Sequence, residues 1–213
     1  MTGTVETSVP RDANPPPVRE GTVTETQLDN GIRVLTERID GVRSVATGVW
    51  VRQGAAHEPD ELAGASHLLE HMVFKGTRRR TAHEIALSLE SLGGSLDAYT
   101  SREHTAYQAR VLDEHLPEAL DVLSDLVVAP RLDEADLELE REVILEEIAQ
   151  VEDTPDDLVF ELHAERLWRD HPYGRSILGT EQTVSAIPAD ALRELHASRY
   201  VGENLVLAAA GNV

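Results

Sequence analysis

The chain has 213 residues, enough for one full hydrophobic core, and its 41% apolar content is that of an ordinary globular protein, which excludes wholesale disorder and a membrane-spanning chain. Nineteen Lys and Arg against 39 Asp and Glu leave a net charge of −20, which repels a nucleic-acid backbone and disfavours DNA and RNA as partners. The absence of cysteine removes disulfides, thiolate zinc sites and a cysteine nucleophile.

Residues 1–20, with Pro10 and the run Pro15-Pro16-Pro17, read as an extended, solvated lead-in, and residues 21–213 as the folded domain. Neither a signal-peptide core nor an apolar run of roughly 18 residues occurs, so the expectation is a cytoplasmic protein without a membrane partner. From Thr22 to Arg38 two alternating stretches flank Asp29-Asn30-Gly31, whose Asn-Gly pair offers the positive φ angles of a tight β-hairpin. Ser44 to Arg52 places Val45, Thr47, Val49 and Val51 on one face and Ala46, Gly48 and Trp50 on the other. This predicts a strand covered on both sides.

Thr81-Ala82-His83-Glu84 is a capping box, and Gly93-Gly94 ends the helix that it opens. A second hairpin is expected over Ser95 to Leu112. Helices then follow from Pro117 to Val128, from Asp133 to near Val151, and from Thr154-Pro155 onward. Arg131 to Asp170 holds fifteen acids and four arginines, mostly a solvated outer face. Leu205 to Ala210 is a final apolar strand, and no internal repeat is present. The order predicts an α+β fold, a two-layer domain with helices packed on a mostly antiparallel sheet.

The chemistry concentrates in Gly64 to Phe74, which spaces His67 and His71 four apart with Glu70 beside the second. On a helix the three side chains lie at about 0°, 40° and 300°, close enough to share one ion. Two imidazoles at i and i+4 suit a tetrahedral Zn²⁺, and a carboxylate on the same face can take a proton from water activated by it. This is the H-x-x-E-H order, expected by chance about 0.04 times in a chain of this composition. The other seven histidines lack a second ligand at helical or strand spacing, so a single zinc per chain is expected.

A third ligand comes from the helix beginning at Asp133. With Leu137 at 0°, an apolar arc runs from Val143 through Val151 and Ile144 to Ile148, and it contains Glu140 at about 300° and Glu147 at about 280°. A bare carboxylate within an apolar face is costly unless a cation or hydrogen-bond donors compensate it. Glu146, at about 180°, points to the polar side, which favours Glu147 as the ligand.

The segments GASHLLEHMVFKGT (Gly64 to Thr77), GGSLDAYTSREHTAYQARV (Gly93 to Val111), EREVILEEI (Glu140 to Ile148), HPYGRSILGT (His171 to Thr180) and YVGENLVLAAAGNV (Tyr200 to Val213) stand in one order. In these the chain resembles, from about Gln27 to Val213, the N-terminal catalytic domain of the pitrilysin, insulinase and mitochondrial processing peptidase family of inverted zincins. The resemblance implies His67, His71 and Glu147 as zinc ligands, Glu70 as general base and Glu140 as a supporting acid. It also implies that the strand holding Asp97, Ala98 and Thr100 binds substrate through backbone pairing, although Asp97 stands where the family usually has Asn.

The expected activity is that of a zinc metalloendopeptidase acting on peptides or unfolded protein segments. The alternative is a non-catalytic partner subunit of a processing-peptidase-like assembly, a role in which relatives typically lose the motif that is complete here. The resemblance further implies a domain truncated before a second, related one, so that a C-terminal half or second subunit would complete the substrate chamber.

Overall fold

The structure is a computed structural model that describes residues 23–213; the lead-in expected at residues 1–20 lies outside them. In chain order the elements are β1 (Val23–Gln27), β2 (Arg33–Arg38), β3 (Ser44–Val51), α1 (Ala65–Val73), α2 (Ala82–Glu90), β4 (Ser95–Thr100) and β5 (Thr105–Leu112). There follow α3 (Leu116–Val128), α4 (Glu134–Asp153), α5 (Pro155–Leu167), α6 (Glu181–Ala186), α7 (Ala189–Arg199) and β6 (Leu205–Gly211). The strands form one sheet in the order β1-β2-β6-β3-β5-β4, in which only the β2–β6 pair is parallel. This is the expected α+β arrangement.

Local chemistry explains most of the boundaries. At the start of α2 the Thr81 hydroxyl accepts the Glu84 N–H, while Glu84 Oε2 accepts the Thr81 N–H at 2.8 Å, and Gly93 takes φ +72 just beyond the helix end. Pro117 and Pro155 sit in the first turns of α3 and α5, where a missing N–H costs nothing. The β1–β2 turn uses Asn-Gly differently from the expectation. Gly31 alone takes a positive φ, +91, while the Asn30 side chain accepts the Ile32 N–H at 3.2 Å.

The helices bury one face of the sheet. Val49 and Val51 of β3 and Tyr107, Ala109 and Val111 of β5 meet Leu68, Leu69 and Met72 of α1 and Leu123 and Leu126 of α3. Each fully buried leucine contributes about 1.5–3 kcal/mol, so α1 is held by its apolar side while its polar side is free for chemistry. The strand β3 is not covered on both sides as expected: Ala46 is exposed and Trp50 half-buried. The Trp50 indole lies against Gly48, so one side chain shields that stretch. Among the described residues no helix is long and apolar enough to cross a membrane.

Candidate metal centre

The helix α1 is preceded by its capping residue Gly64, whose φ of +95 turns the chain sharply out of the preceding loop. Leu68, Leu69, Met72 and Val73 anchor the helix in the core, so His67 and His71 share the opposite side with ring centroids 4.6 Å apart. The long helix α4 crosses this face. Its buried residues are Leu137, Glu140 and Ile144, whereas Val143 is 40% exposed, so the buried arc is narrower than the apolar pattern suggested. Glu147 consequently lies at the margin of that arc, half-buried and turned to α1.

Three of the expected ligands come together. His67 Nε2 stands 3.7 Å from Glu147 Oε2 and His71 Nε2 stands 3.8 Å from Glu147 Oε1. One ligand atom from each residue lies within 4.8 Å of the others, the one such cluster among the described residues. Bonds of about 2.0–2.1 Å at tetrahedral angles separate ligand atoms by roughly 3.3 Å, so small side-chain rotations bring this donor set onto one ion. Two imidazole nitrogens and one carboxylate are the donor chemistry that Zn²⁺ takes in catalytic sites.

The protonation pattern fits as well. Burial, and secondarily His71, pushes His67 down to about 4, which keeps its ring neutral with a lone pair available. Its Nδ1 is buried without a partner, and its Nε2 faces the cluster. His71 Nδ1 lies 3.1 Å from Glu140 Oε2, an arrangement that retains the proton on Nδ1 and leaves Nε2 as the donor. The other oxygen of Glu140 pairs with Lys75 at 2.5 Å, a cation that the sequence reading did not single out.

Glu70 is 8% exposed and accepts the Thr100 hydroxyl on Oε2 at 2.5 Å. Burial pushes its carboxyl up, against the opposing pull of the Thr100 hydrogen bond and of His71. Glu70, His67, Ala98 and Thr100 line a groove of about 480 Å³ together with Phe160 and Leu178. Of the three residues expected at the substrate, Ala98 and Thr100 therefore face the site. Asp97 is exposed and is not part of the groove lining. The strand that carries them, β4, is the edge of the sheet, with β5 as its sole partner among the described residues.

Comparison with known proteins adds four findings. The model of the insulinase family, peptidase family M16, matches residues 33–181. An uncharacterized zinc protease of Streptomyces coelicolor is 45% identical over 193 residues, 91% of this chain and 42% of the relative. A protein of Arabidopsis thaliana named as a probable mitochondrial-processing peptidase subunit beta is 43% identical over 189 residues, 88% of this chain and 35% of the relative. The crystal structure of pitrilysin superposes with a TM-score of 0.81 at 26% identity, over 92% of this chain and 22% of that one. The chain thus spans less than half the length of the curated relatives it matches.

Proposed function

The chain belongs to the insulinase family, peptidase family M16, and from that premise we propose that it carries the zinc-binding, proton-transferring part of a metalloendopeptidase acting on peptides or extended, unfolded protein segments. The observation that carries this reading is the convergence of His67, His71 and Glu147, with His67 and the buried Glu70 lining one groove. Relatives named as zinc proteases support the choice of metal.

His67 and His71 would hold the ion through Nε2 and Glu147 through its carboxylate. When bound, Zn²⁺ supplies Lewis acidity, polarising a carbonyl and making water acidic near neutral pH. Glu140 keeps the Nδ1 proton on His71 and so fixes the ring's orientation. Thr100 occupies Oε2 of Glu70, which leaves Oε1 to accept a proton from the attacking water and return it to the departing amine nitrogen. A carboxyl raised by burial is suited to both transfers, because it holds a proton more readily than an exposed glutamate. The free edge of β4 offers backbone groups to an extended peptide, which would pair as an added strand. In this reading Asp97 contributes through its backbone.

The remainder of the relatives' length supports a further part of the reading, that a C-terminal half or second subunit supplies the facing wall of the chamber. The test is hydrolysis of a quenched unfolded peptide by the chain co-expressed with the C-terminal half of a full-length relative. The expected result is cleavage that stops with chelator and with Glu70→Gln. Cleavage indifferent to both, or none by the complete pair, overturns the proposal.

A further inference from the structure

Glu58 is a buried carboxylate, 6% exposed, that the chemistry above does not use. It stands nine residues ahead of His67, between two single turns of 3-10 helix at Ala55–His57 and Asp60–Leu62. The first amides of any helix need acceptors from outside it, and the capping position of α1 is Gly64, which has no side chain to offer. Glu58 provides them: Oε2 accepts the Gly64 N–H at 2.9 Å and Oε1 accepts the Ser66 N–H at 2.5 Å. Its charge also sits at the positive end of the helix dipole. Burial pushes this carboxyl up, and the amide bonds and Arg175 pull against that, so the group is held at a desolvation cost.

Arg175 braces the same loop from the HPYGR segment. Its guanidinium donates to the Glu58 backbone carbonyl at 2.9 Å and to Asp60 Oδ1 at 2.8 Å. The backbones behind it touch as well: a Cβ on Gly64 would lie 2.6 Å from the Leu178 oxygen, and one on Gly179 would overlap the Ala63 carbonyl. The two histidines differ in what aims them. Glu140 grips the His71 ring, whereas His67 Nδ1 has no partner, so the direction of His67 depends on the backbone of the turn just after Ser66.

We propose that Glu58 and Arg175 are positioning residues, a clamp that fixes the first turn of α1 and thereby aims His67 Nε2 at the metal. The inference rests on the zinc reading above. Its test measures the affinity of the full chain for Zn²⁺ by competition with a chromogenic chelator, together with the visible absorption of the Co²⁺-loaded protein, which reports ligand geometry. Glu58→Gln should lose about 10- to 100-fold in zinc affinity, the usual cost of removing a group that orients a metal ligand, and should alter the Co²⁺ bands. Arg175→Met should move both readouts less in the same direction. The double variant should lose less than the product of the singles, because both act through one loop.

A role confined to stability would lower the melting temperature and leave the Co²⁺ spectrum as in the wild type, and that result overturns the clamp. Wild-type protein that takes up no zinc overturns the metal reading and the clamp with it, whereas tight wild-type binding matched by Glu58→Gln overturns the clamp alone. Should Glu58→Gln fail to fold, amide exchange in the wild type decides. Protection of the Gly64 and Ser66 amides equal to the middle of α1 supports the clamp, and exchange at the rate of a loop refutes it.

Discussion

Replacing Glu140 by glutamine removes a charge and almost nothing else, and its effect can be worked out from two contacts. The carboxylate is 5% exposed, with Oε2 3.1 Å from His71 Nδ1 and Oε1 2.5 Å from Lys75 Nζ. Both neighbours are donors, so the side chain must accept twice. A glutamine has one oxygen, and its NH₂ must therefore face either the half-buried Lys75 ammonium or the imidazole. Facing His71, it drives the ring proton to Nε2 and removes the lone pair from the metal side. Facing Lys75, it leaves that cation without its acceptor. Losing one hydrogen bond to a charged group costs about 1.5–3 kcal/mol, and at about 1.4 kcal/mol per tenfold this is roughly 10- to 100-fold in zinc affinity. The assay is chelator competition at fixed pH, with a thermal melt in excess chelator to show that the apo fold persists. Unchanged affinity in a folded Glu140→Gln protein would refute the role assigned to this residue.

Glu147→Gln should weaken zinc binding far more than Glu146→Gln, because only Glu147 stands within reach of both histidines; equal affinities in the same titration contradict this. Glu70→Gln should retain zinc while hydrolysis by the completed enzyme falls by roughly 10² or more, and a variant that loses its metal would show that Glu70 is misassigned. Gly64→Ala should cost about 1–3 kcal/mol, since φ +95 is strained for any side chain and the new Cβ meets the Leu178 oxygen; an unshifted denaturant midpoint would count against it. Hydrogen bonds from Arg79 and then Arg80 hold Asp121 down to about 2, from 3.8. Its contribution to stability is therefore present above pH 3.8 and lost as the pH falls toward 2, and at a solvated site it amounts to no more than about 1 kcal/mol. Asp121→Asn should accordingly lower the melting temperature near neutral pH, with a gap to wild type that closes on acidification; a gap that persists is the contrary result.

The cluster of His67, His71 and Glu147 was more legible in the sequence than its supports. His67 and His71 are legible because helical spacing alone puts them on one face, and Glu147 because a carboxylate beside an apolar arc needs a reason. Lys75 and Glu58 carried no such signal: Lys75 reads as a surface cation, and Glu58 lies in a loop without periodicity, brought to α1 by tertiary packing. The hydroxyl of Thr100 donates to Glu70, a contact between residues 30 positions apart that no local pattern encodes. In the fold, α6 went unread because its six residues, Glu181–Ala186, offer too few turns for periodicity to emerge, and α7 because only Ala189 and Leu192 of its eleven residues are buried. The strand β3 looked buried on both faces because Ala46, Gly48 and Trp50 are all compatible with burial, and only the arrangement of helices decides which face is covered.

The central claim is that His67, His71 and Glu147 form a zinc site. The direct measurement is elemental analysis of the purified chain after dialysis, followed by titration with Zn²⁺. The account predicts one tightly held zinc per chain, abolished by His67→Ala or His71→Ala because two remaining protein ligands are too few to offset dehydration of the ion. A chain that retains no zinc and rebinds none on titration, or one that holds it equally well without either histidine, would contradict it.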